Sequence, residues 1–477
     1  MVDEKRKKIV ICGANGGIGQ EIVKEYARRI NATGEALDIC FVTRPKDEVK
    51  DFGTGMLNEI MDAHATDPVQ HSNADLEKAF RRENHALFDP KHIDTPEIRK
   101  VFKDADLILV AAGLPRKGNQ ERADLISKNA DAVSAYSQAI ARYAPLKTPV
   151  VACANPLDNV IGIMQKAVER EWKDNPRKGE KPQIKIIGMA GALDEDRLKI
   201  FVSRTLNAAL KKLQPPTSER VRPRQVDGRV YGQHGPQMAV DSESITIMQN
   251  GQPVTLNDFI DKYEGLKADR AAIIKEITEN TQKAGGKLLG ALGRSAQYSP
   301  ARRMVDMGEA LLGITPARVF AASVTHSLDG EMFEPMSSGR PVNLSASGAT
   351  VAPWPHRITK EPLASTLKAS RDAIWADQAG YEILLVLAQT TDMAYSEEHD
   401  GRFKVSLEMP LKLSGQMKQM AATLNTWLPK DPATHSEVHV KRGQPPKIVG
   451  TLNKAQFNLM RAAVPMGREM VLSSIAI

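Results

Sequence analysis

The chain has 477 residues, of which 42% are hydrophobic and 26% charged, so it is long enough to form more than one domain around a large core. Its formal net charge is +7, but acidic and basic residues are interleaved and only 5% of residues are aromatic, which argues against a nucleic-acid partner. The charged start and short first apolar run predict no signal peptide or membrane span, and 3 cysteines without metal-ligand spacing favour a metal-free cytoplasmic protein.

The first predicted elements are a strand, a glycine turn and a helix. Residues 8–12 are apolar and predict a buried parallel strand, and residues 18–30 predict the helix. Gly13 permits a sharp turn, Gly16 lets backbone N–H groups approach a phosphate, and Gly19 lets the helix pack closely on the strand. The positive end of the helix attracts the same phosphate. We therefore predict a dinucleotide site made by Gly13, Asn15, Gly16, Gly17, Ile18 and Gly19.

A second strand over residues 38–42 follows at the spacing of a βαβ unit, and the residues at its end indicate which dinucleotide fits. An acidic residue normally binds the adenosine ribose there, but this chain has Thr43 and Arg44. A hydroxyl and a guanidinium match a 2′-phosphate better than a ribose diol, so the sequence favours NADP over NAD. The alternative is that Arg44 lies on the surface and that Asp47 or Asp51 binds the ribose.

Two more predicted strands, residues 106–113 and 150–154, end at the same edge of the sheet. Their ends and the loop after the first of them supply the next candidate residues, which are Ala112, Gly113, Arg116, Arg122 and Asn155. A mobile loop that carries cations over a bound anion neutralises the anion and excludes water. Arg116 and Arg122 flank such a loop, and Asn155 can donate to a substrate oxygen or to the cofactor.

The candidate for proton transfer is His234, which stands in a glycine-flanked turn, with Asp194 and Arg197 earlier in the chain. An imidazole titrates near neutral pH, and a carboxylate on its far nitrogen fixes the tautomer and stabilises the imidazolium. A nearby arginine can hold an anionic substrate through two hydrogen bonds. A histidine in such a turn is by itself more often structural, so the interpretation depends on the other motifs.

Taken together, these motifs resemble the lactate/malate dehydrogenase family, most closely its malate branch, over about residues 7–375. The matching segments, in chain order, are residues 13–19, 115–122, 154–156, 193–197 and 232–235, with a serine-alanine turn at Ser295 and a late strand at 339–342. The resemblance implies that His234 gives and takes a proton, that Asp194 orients it, and that Arg197 grips the C1 carboxylate. It also implies that the subunits associate as a homodimer or homotetramer.

The resemblance places four further residues around the substrate, and these residues indicate which substrate fits. They are Arg116, Arg122, Asn155 and Ser295. Arg122 would polarise the C2 oxygen, and Arg116 stands where the family separates malate from lactate enzymes. An unpaired charge in a closed site costs about 3 to 5 kcal/mol, so Arg116 favours a dicarboxylate such as oxaloacetate or malate. Asn119 and Gln120 depart from the family's loop, which leaves lactate or a bulkier dicarboxylate as an alternative substrate. A cofactor-binding scaffold with little activity is the alternative outside the enzymes.

The predicted fold is α/β, with a Rossmann-type dinucleotide domain over residues 1–183, an α+β substrate domain over 184–376, and an α+β extension over 377–477. The extension should contain strands at 402–409, 437–440 and 447–452, a methionine-bearing helix at 414–428 and a final helix from 454. Oligomer contact or regulation is its predicted role. Residues 67–100 are predicted as a surface insertion with a helix near 75–82, and residues 214–228 as a second insertion near the subunit surface or the rim of the site.

Overall fold

The computed structural model describes residues 6–45, 52–64, 73–81, 84–114, 122–177, 183–326, 336–352, 363–370, 373–374, 392–397, 402–408, 436–439 and 447–452. In chain order, the strands are β1 (Lys7–Cys12), β2 (Leu37–Thr43), β3 (His85–Leu87), β4 (Leu107–Val110), β5 (Val150–Ala152), β6 (Ile186–Gly188), β7 (Val226–Tyr231), β8 (Ala239–Gln249), β9 (Gln252–Thr255), β10 (Arg318–His326), β11 (Met336–Ser345), β12 (Gly348–Val351), β13 (Asp392–Glu397), β14 (Phe403–Glu408), β15 (Ser436–His439) and β16 (Lys447–Leu452). The helices are α1 (Gly17–Thr33), α2 (Phe52–His64), α3 (Asn73–Ala79), α4 (Pro96–Phe102), α5 (Arg122–Tyr143), α6 (Leu157–Asp174), α7 (Ala190–Leu210), α8 (Leu256–Asp261), α9 (Glu264–Ala268), α10 (Arg270–Leu292) and α11 (Tyr298–Leu312). A short 3-10 helix covers Pro223–Gln225, and residues 363–370 are helical.

A large mixed sheet carries the candidate site. Within the described ranges its strand order is β12-β11-β10-β6-β5-β4-β1-β2-β3. The six strands from β3 to β6 in this order pair in parallel, and β10, β11 and β12 extend the sheet by antiparallel pairing. The order reverses at β1, so the ends of β1 and β4 form the crevice where such sheets bind ligands. The α/β fold and its parallel dinucleotide-binding sheet are confirmed.

The large sheet is buried on both faces, as a parallel sheet requires. Side chains alternate along β1, so that Ile9 and Ile11 join the core beneath α1 and α11, whereas Val10 and Cys12 join the core beneath α4, α5 and α6. The alternation explains why β1 reads as a continuous apolar run rather than an apolar-polar pattern. It also holds the glycine turn after β1 between two packed layers.

A second, three-stranded sheet stands after α7 in the chain and consists of β7, β8 and β9 in antiparallel order. Its core joins Val202 and Leu206 of α7 to Val230 of β7 and Ile245 of β8. The contact fixes α7 against β7, the strand that ends just before His234.

The chain divides into two compact units, one of residues 1–120 with 129–373 and the other of residues 121–128 with 374–477. The second contains the antiparallel sheet β13-β14-β16-β15, in which β14 pairs with β16 from Phe403 opposite Leu452. The strands predicted in the C-terminal extension are therefore confirmed. The predicted helices at 414–428 and from 454 lie outside the described residues, and the predicted domain boundaries stay a prediction.

The prediction of a surface insertion at residues 67–100 is wrong for the part that the structure describes. The helix predicted near 75–82 is α3, but it is followed by β3, which pairs with β2 at the edge of the large sheet. Phe80, Phe88 and Phe102 are buried, and Phe88 stacks on Tyr136 of α5 with ring centroids 3.8 Å apart. The many charged residues concealed this apolar pattern. The segment 214–228, in contrast, is largely exposed as predicted.

All three cysteines are free and buried. Burial raises the pKa of the Cys40 and Cys153 thiols to about 12, because a thiolate would lose its hydration. These two thiols are therefore inert packing groups at neutral pH. Among the helices of the described ranges, we find none with the length and apolar character needed to cross a membrane.

Candidate active site

The glycine turn between β1 and α1 leaves no room for side chains. Gly13 has a φ of +77°, and a Cβ on it would lie 2.8 Å from the Cα of Ala112. A Cβ on Gly19 would collide with the carbonyl oxygen of Gly13. Gly16 donates its N–H to Gly13 at 2.9 Å, so it closes the turn, and a phosphate would be met by the first-turn N–H groups of Gly17 and Ile18. The turn and the adjacent helix end fit a dinucleotide pyrophosphate.

The end of β2 holds the residues predicted to select the dinucleotide. Asn15 is buried and donates from Nδ2 to the carbonyl oxygen of Arg44 at 3.0 Å, which joins the glycine turn to this strand end. The Thr43 hydroxyl is buried and lies 2.7 Å from Nε2 of His85. Of the two residues predicted to contact a 2′-phosphate, only Arg44 is exposed.

Asn129 links the ends of β4 and β5, a role that the sequence did not indicate. Its Oδ1 accepts from the N–H of Leu114 at 2.6 Å, and its Nδ2 donates to the carbonyl oxygen of Asn155 at 2.8 Å. Gly113 packs close to Ala154, because a Cβ on it would lie 3.0 Å from the Ala154 Cβ. The structure thus brings the predicted residues Ala112, Gly113 and Asn155 to one edge of the sheet and leaves Asn155 exposed.

His234 and Asp194 meet as the sequence predicted. The His234 Nδ1 lies 2.7 Å from Oδ2 of Asp194, whose side chain is only 2% exposed. The His234 side chain is 20% exposed, so the ring remains accessible. A buried carboxylate on Nδ1 favours the tautomer that carries its proton there and leaves Nε2 free to exchange a proton with a ligand.

The backbone at His234 is held by a further carboxylate that sequence reasoning missed. Asp158, in the first turn of α6, accepts the N–H of His234 on Oδ2 at 2.8 Å and the hydroxyl of Ser323 on Oδ1 at 2.7 Å. Asp158 is 4% exposed. In the sequence, Asp158 is marked only by its position three residues after Asn155. That position predicts an acidic residue in the first turn of a helix, but it does not indicate that the partner is His234.

The turn before His234 is held by hydrogen bonds to two other segments, to the backbone of Gly339 and to the side-chain hydroxyl of Ser370. Gly232 has a φ of +79° and pairs with Gly339 of β11. Ser370, in the helical residues 363–370, accepts the N–H of Gln233 at 3.1 Å. A Cβ on Gly232 would lie 2.8 Å from the Cβ of Ser370, so only glycine fits there.

Arg197 contacts the other oxygen of the same carboxylate. Its Nη1 donates to Oδ1 of Asp194 at 2.9 Å. It also borders a cavity of about 580 Å³, whose other charged lining residues are Asp196, Lys199, Arg224, Arg303 and Arg318. His234 is not part of this lining, and two of its cations are already paired with acids, Arg303 with Asp196 and Lys199 with Asp227.

The structure does not describe the side chains of two predicted substrate-binding arginines. Arg116 lies outside the described residues, and Arg122 begins α5 with its side chain outside them as well. Ser295 lies half-buried between α10 and α11. Near it, the side chain of Gln297 packs against Gly17 of the glycine turn, a contact that the sequence did not predict.

Comparison with known proteins shows what this chain is similar to. The family model described as lactate/malate dehydrogenase, NAD binding domain, matches residues 7–178. A malate dehydrogenase of Geotalea daltonii is 34% identical over 213 residues, which cover 44% of this chain and 58% of that protein. A malate dehydrogenase of Francisella tularensis subsp. novicida is 29% identical over 293 residues, 60% of this chain and 79% of the relative. The chain thus spans only about three-fifths of the length of the Geotalea daltonii protein.

Solved structures show the same fold. The malate dehydrogenase of Cryptosporidium parvum aligns over 79% of this chain and 99% of its own, with a TM-score of 0.56 and 22% identity. The lactate dehydrogenase of Trichomonas vaginalis, solved with NADH and oxamate, aligns over 79% and 98%, with a TM-score of 0.57 and 18% identity. At such identities the likeness concerns the fold alone. Residues 7–178 thus match the NAD binding domain of the lactate/malate dehydrogenase family, and the curated relatives to which the chain is similar are malate dehydrogenases.

Proposed function

We propose that this protein is a nicotinamide-dependent malate dehydrogenase, which interconverts malate and oxaloacetate. The observation that carries the proposal is the pair of contacts on Asp194, to His234 at 2.7 Å and to Arg197 at 2.9 Å. One buried carboxylate therefore orients both a proton-transferring group and an anion-binding group. A 2-hydroxy acid presents the matching groups on adjacent carbons, a C2 hydroxyl and a C1 carboxylate.

His234 acts as the base in malate oxidation and as the acid in oxaloacetate reduction. It takes the C2 hydroxyl proton on Nε2, since Nδ1 is committed to Asp194. Asp194 stabilises the imidazolium that results, and positioned proton transfer of this kind contributes about 10² to 10⁴-fold. When bound, the nicotinamide supplies or accepts the hydride at C2. Arg197 holds the C1 carboxylate so that the hydroxyl stays at the imidazole.

The second carboxylate of the substrate is assigned to Arg116, with Arg122 on the C2 oxygen. Arg116 precedes α5 in the sequence and Arg122 is the first residue of α5, and their roles rest on the family resemblance. Asn155 and Ser295 are the remaining proposed substrate contacts.

We propose NAD(H) as the cofactor. The glycine turn would hold its pyrophosphate on Gly17 and Ile18, and the matching family model is that of an NAD binding domain. The preference for NADP that Arg44 suggests stays a prediction. It is weakened by the Thr43 hydroxyl, which is buried against His85. The homodimer or homotetramer and the cytoplasmic location likewise stay proposals, and light scattering of the purified chain would measure the first of them.

The test is the oxidation of NADH and of NADPH with oxaloacetate, in parallel with pyruvate, by the wild-type chain and by His234→Asn. We expect turnover with oxaloacetate, little with pyruvate, and loss of turnover but not of NADH binding in His234→Asn. His92→Asn is the matched control, because His92 also pairs with an aspartate, Asp89, on the surface. Turnover retained in His234→Asn would overturn the proton-transfer role. Intact NADH binding without turnover of either acid would point to the scaffold alternative.

A further inference from the structure

A second buried carboxylate, Glu195, directly follows Asp194 on α7. Glu195 is 6% exposed and lies about 100° around the helix from Asp194, so the two carboxylates face different neighbours. Its Oε1 lies 3.6 Å from Nη1 of Arg229 on β7, and its Oε2 accepts the N–H of Ala321 of β10 at 3.4 Å. Among the described residues, Oε1 has no hydrogen-bond partner, so the attraction to Arg229 is its main compensation.

Arg229 in turn belongs to a small charge network between α7 and β7. It donates from Nη1 to Oδ1 of Asp227 at 2.9 Å, and Lys199 lies 3.7 Å from the same oxygen. Glu195 and Lys199 stand one turn apart on α7, whereas Asp227 and Arg229 stand two residues apart on β7. α7 therefore presents Glu195 and Lys199 to β7, and β7 presents Asp227 and Arg229 to α7. Because opposite charges must meet, the pairing specifies a single position of the helix along the strand.

We propose that Glu195 and Arg229 are positioning residues, which fix α7 against β7 and thereby hold Asp194 at His234. This inference rests on the proposed function of that pair. Asp194 immediately precedes Glu195, and His234 follows Arg229 by five residues, so both contacts join the same two segments. A displacement of about 1 Å in such a pair can cost about 10²-fold in rate.

Stability alone does not explain a buried ion pair at this position. An apolar pair of similar volume often stabilises a fold equally well or better, because it avoids the desolvation of two charges. A charge pair, unlike an apolar contact, penalises every register that separates the charges. The apolar residues of α7 and β7 already supply the packing between these elements.

Burial raises the pKa of Glu195 to about 7. The attraction of Arg229 and Lys199 lowers this pKa, and the repulsion from Asp227 raises it. The ion pair with Arg229 therefore becomes more populated as the pH rises through about 7. We expect the loss of turnover in Glu195→Gln to be larger at about pH 8.5 than at about pH 6, where the wild-type group is itself largely protonated.

The experiment compares Glu195→Gln, Arg229→Met, their double variant and Arg229→Lys with Glu309→Gln. Glu309 is the matched control, because it is a buried glutamate paired with an arginine, Arg29, between α11 and α1. We expect Glu195→Gln and Arg229→Met each to lower kcat about tenfold, with the KM for oxaloacetate and the Kd for NADH changed less than about twofold. The double variant should be no worse than either single variant, and Arg229→Lys should restore most of kcat.

A readout that does not depend on turnover separates this inference from the proposed function. The Nδ1–H resonance of His234, assigned by its absence in His234→Asn, should shift or broaden in Glu195→Gln and stay unchanged in Glu309→Gln. If the wild-type chain lacks turnover, the proposed function fails and this resonance alone decides the positioning role. An unchanged resonance, or a kcat loss in Glu309→Gln equal to that in Glu195→Gln at equal loss of unfolding free energy, would overturn the inference.

Discussion

Two histidine–aspartate pairs in the described part of the chain have the same nitrogen–oxygen distance, but their surroundings differ. His234 lies 2.7 Å from Asp194, and His92 lies 2.7 Å from Asp89. The side chains of the first pair are 20% and 2% exposed, whereas those of the second are 77% and 43% exposed. A short distance therefore does not distinguish a proton-transfer site from a surface contact. What distinguishes them is the burial of the carboxylate and the arginine bound to it, Arg197.

The two pairs also differ in how they are built. His92 and Asp89 stand three residues apart in one exposed turn, so the chain brings them together without any tertiary structure. His234 and Asp194 stand 40 residues apart, and α7, β7 and Asp158 all act to align them. Side-chain entropy and water weaken the first contact, while the second is preorganised by the fold.

The largest expected difference in turnover is between variants of the two aspartates, Asp194 and Asp89. We expect Asp194→Asn to lower turnover about 10³ to 10⁴-fold, because an amide fixes the wrong tautomer of His234 and cannot stabilise its imidazolium. Asp89→Asn should leave turnover unchanged. Steady-state kinetics with oxaloacetate and NADH measures both effects. Similar losses in the two variants would mean that the buried pair has no special role.

The next comparison is between two arginines that are paired with aspartates, Arg197 in the site and Arg99 on the surface. We expect Arg197→Lys to lower kcat/KM for oxaloacetate about 10²-fold, mostly through KM, because lysine keeps the charge but loses the two-point contact. The matched control is Arg99→Lys, since Arg99 donates to Asp94 at 2.6 Å on the surface. An unchanged KM in Arg197→Lys would remove Arg197 from the substrate carboxylate.

Asp158 tests whether backbone anchoring matters as much as the side-chain pair. In Asp158→Asn one of the two accepting oxygens is replaced by an NH₂ group, which would face the donor of His234 or of Ser323. We expect a loss of about 1 to 3 kcal/mol in unfolding free energy and about a tenfold loss in kcat. Urea unfolding and kinetics on the same preparation measure both. Ser323→Ala removes one of these donors and should lose stability with a smaller effect on kcat.

Much of this site could be predicted because its motifs are local. The order of strand, glycine turn and helix around Gly13 is contiguous in the chain, and backbone geometry restricts it to few residue types. The run Leu193 to Arg197 is different, since it contains three consecutive acids, and composition cannot say which of them faces His234. The family resemblance indicated Asp194, and the helix then directs Glu195 toward Arg229 and Asp196 toward Arg303.

The supporting residues could not be predicted, because their partners lie far away in the chain. Asp158 binds the backbone of His234 across 76 residues, and Asn129 binds that of Asn155 across 26. Neither residue type is unusual where it stands, so no local pattern marks it. The error at residues 67–100 has another cause, namely a high charge content that concealed the apolar residues packed beneath it.

The smallest expected effect is the pH dependence of the surface pair. The hydrogen bond from His92, followed by that from the Lys91 N–H, lowers the pKa of Asp89 below its ordinary 3.8. A carboxyl with a lowered pKa stabilises the fold above its unfolded pKa and loses that contribution as the pH falls through the folded pKa. Because Asp89 is well exposed, solvent limits the contribution to about 0.5 kcal/mol or less. The unfolding free energies of wild-type and Asp89→Asn should thus differ slightly at neutral pH and converge as the pH falls through the lowered pKa of Asp89. A difference of more than about 1 kcal/mol at neutral pH would show that the exposed pair is as strongly held as a buried one, and exposure would no longer distinguish the two pairs.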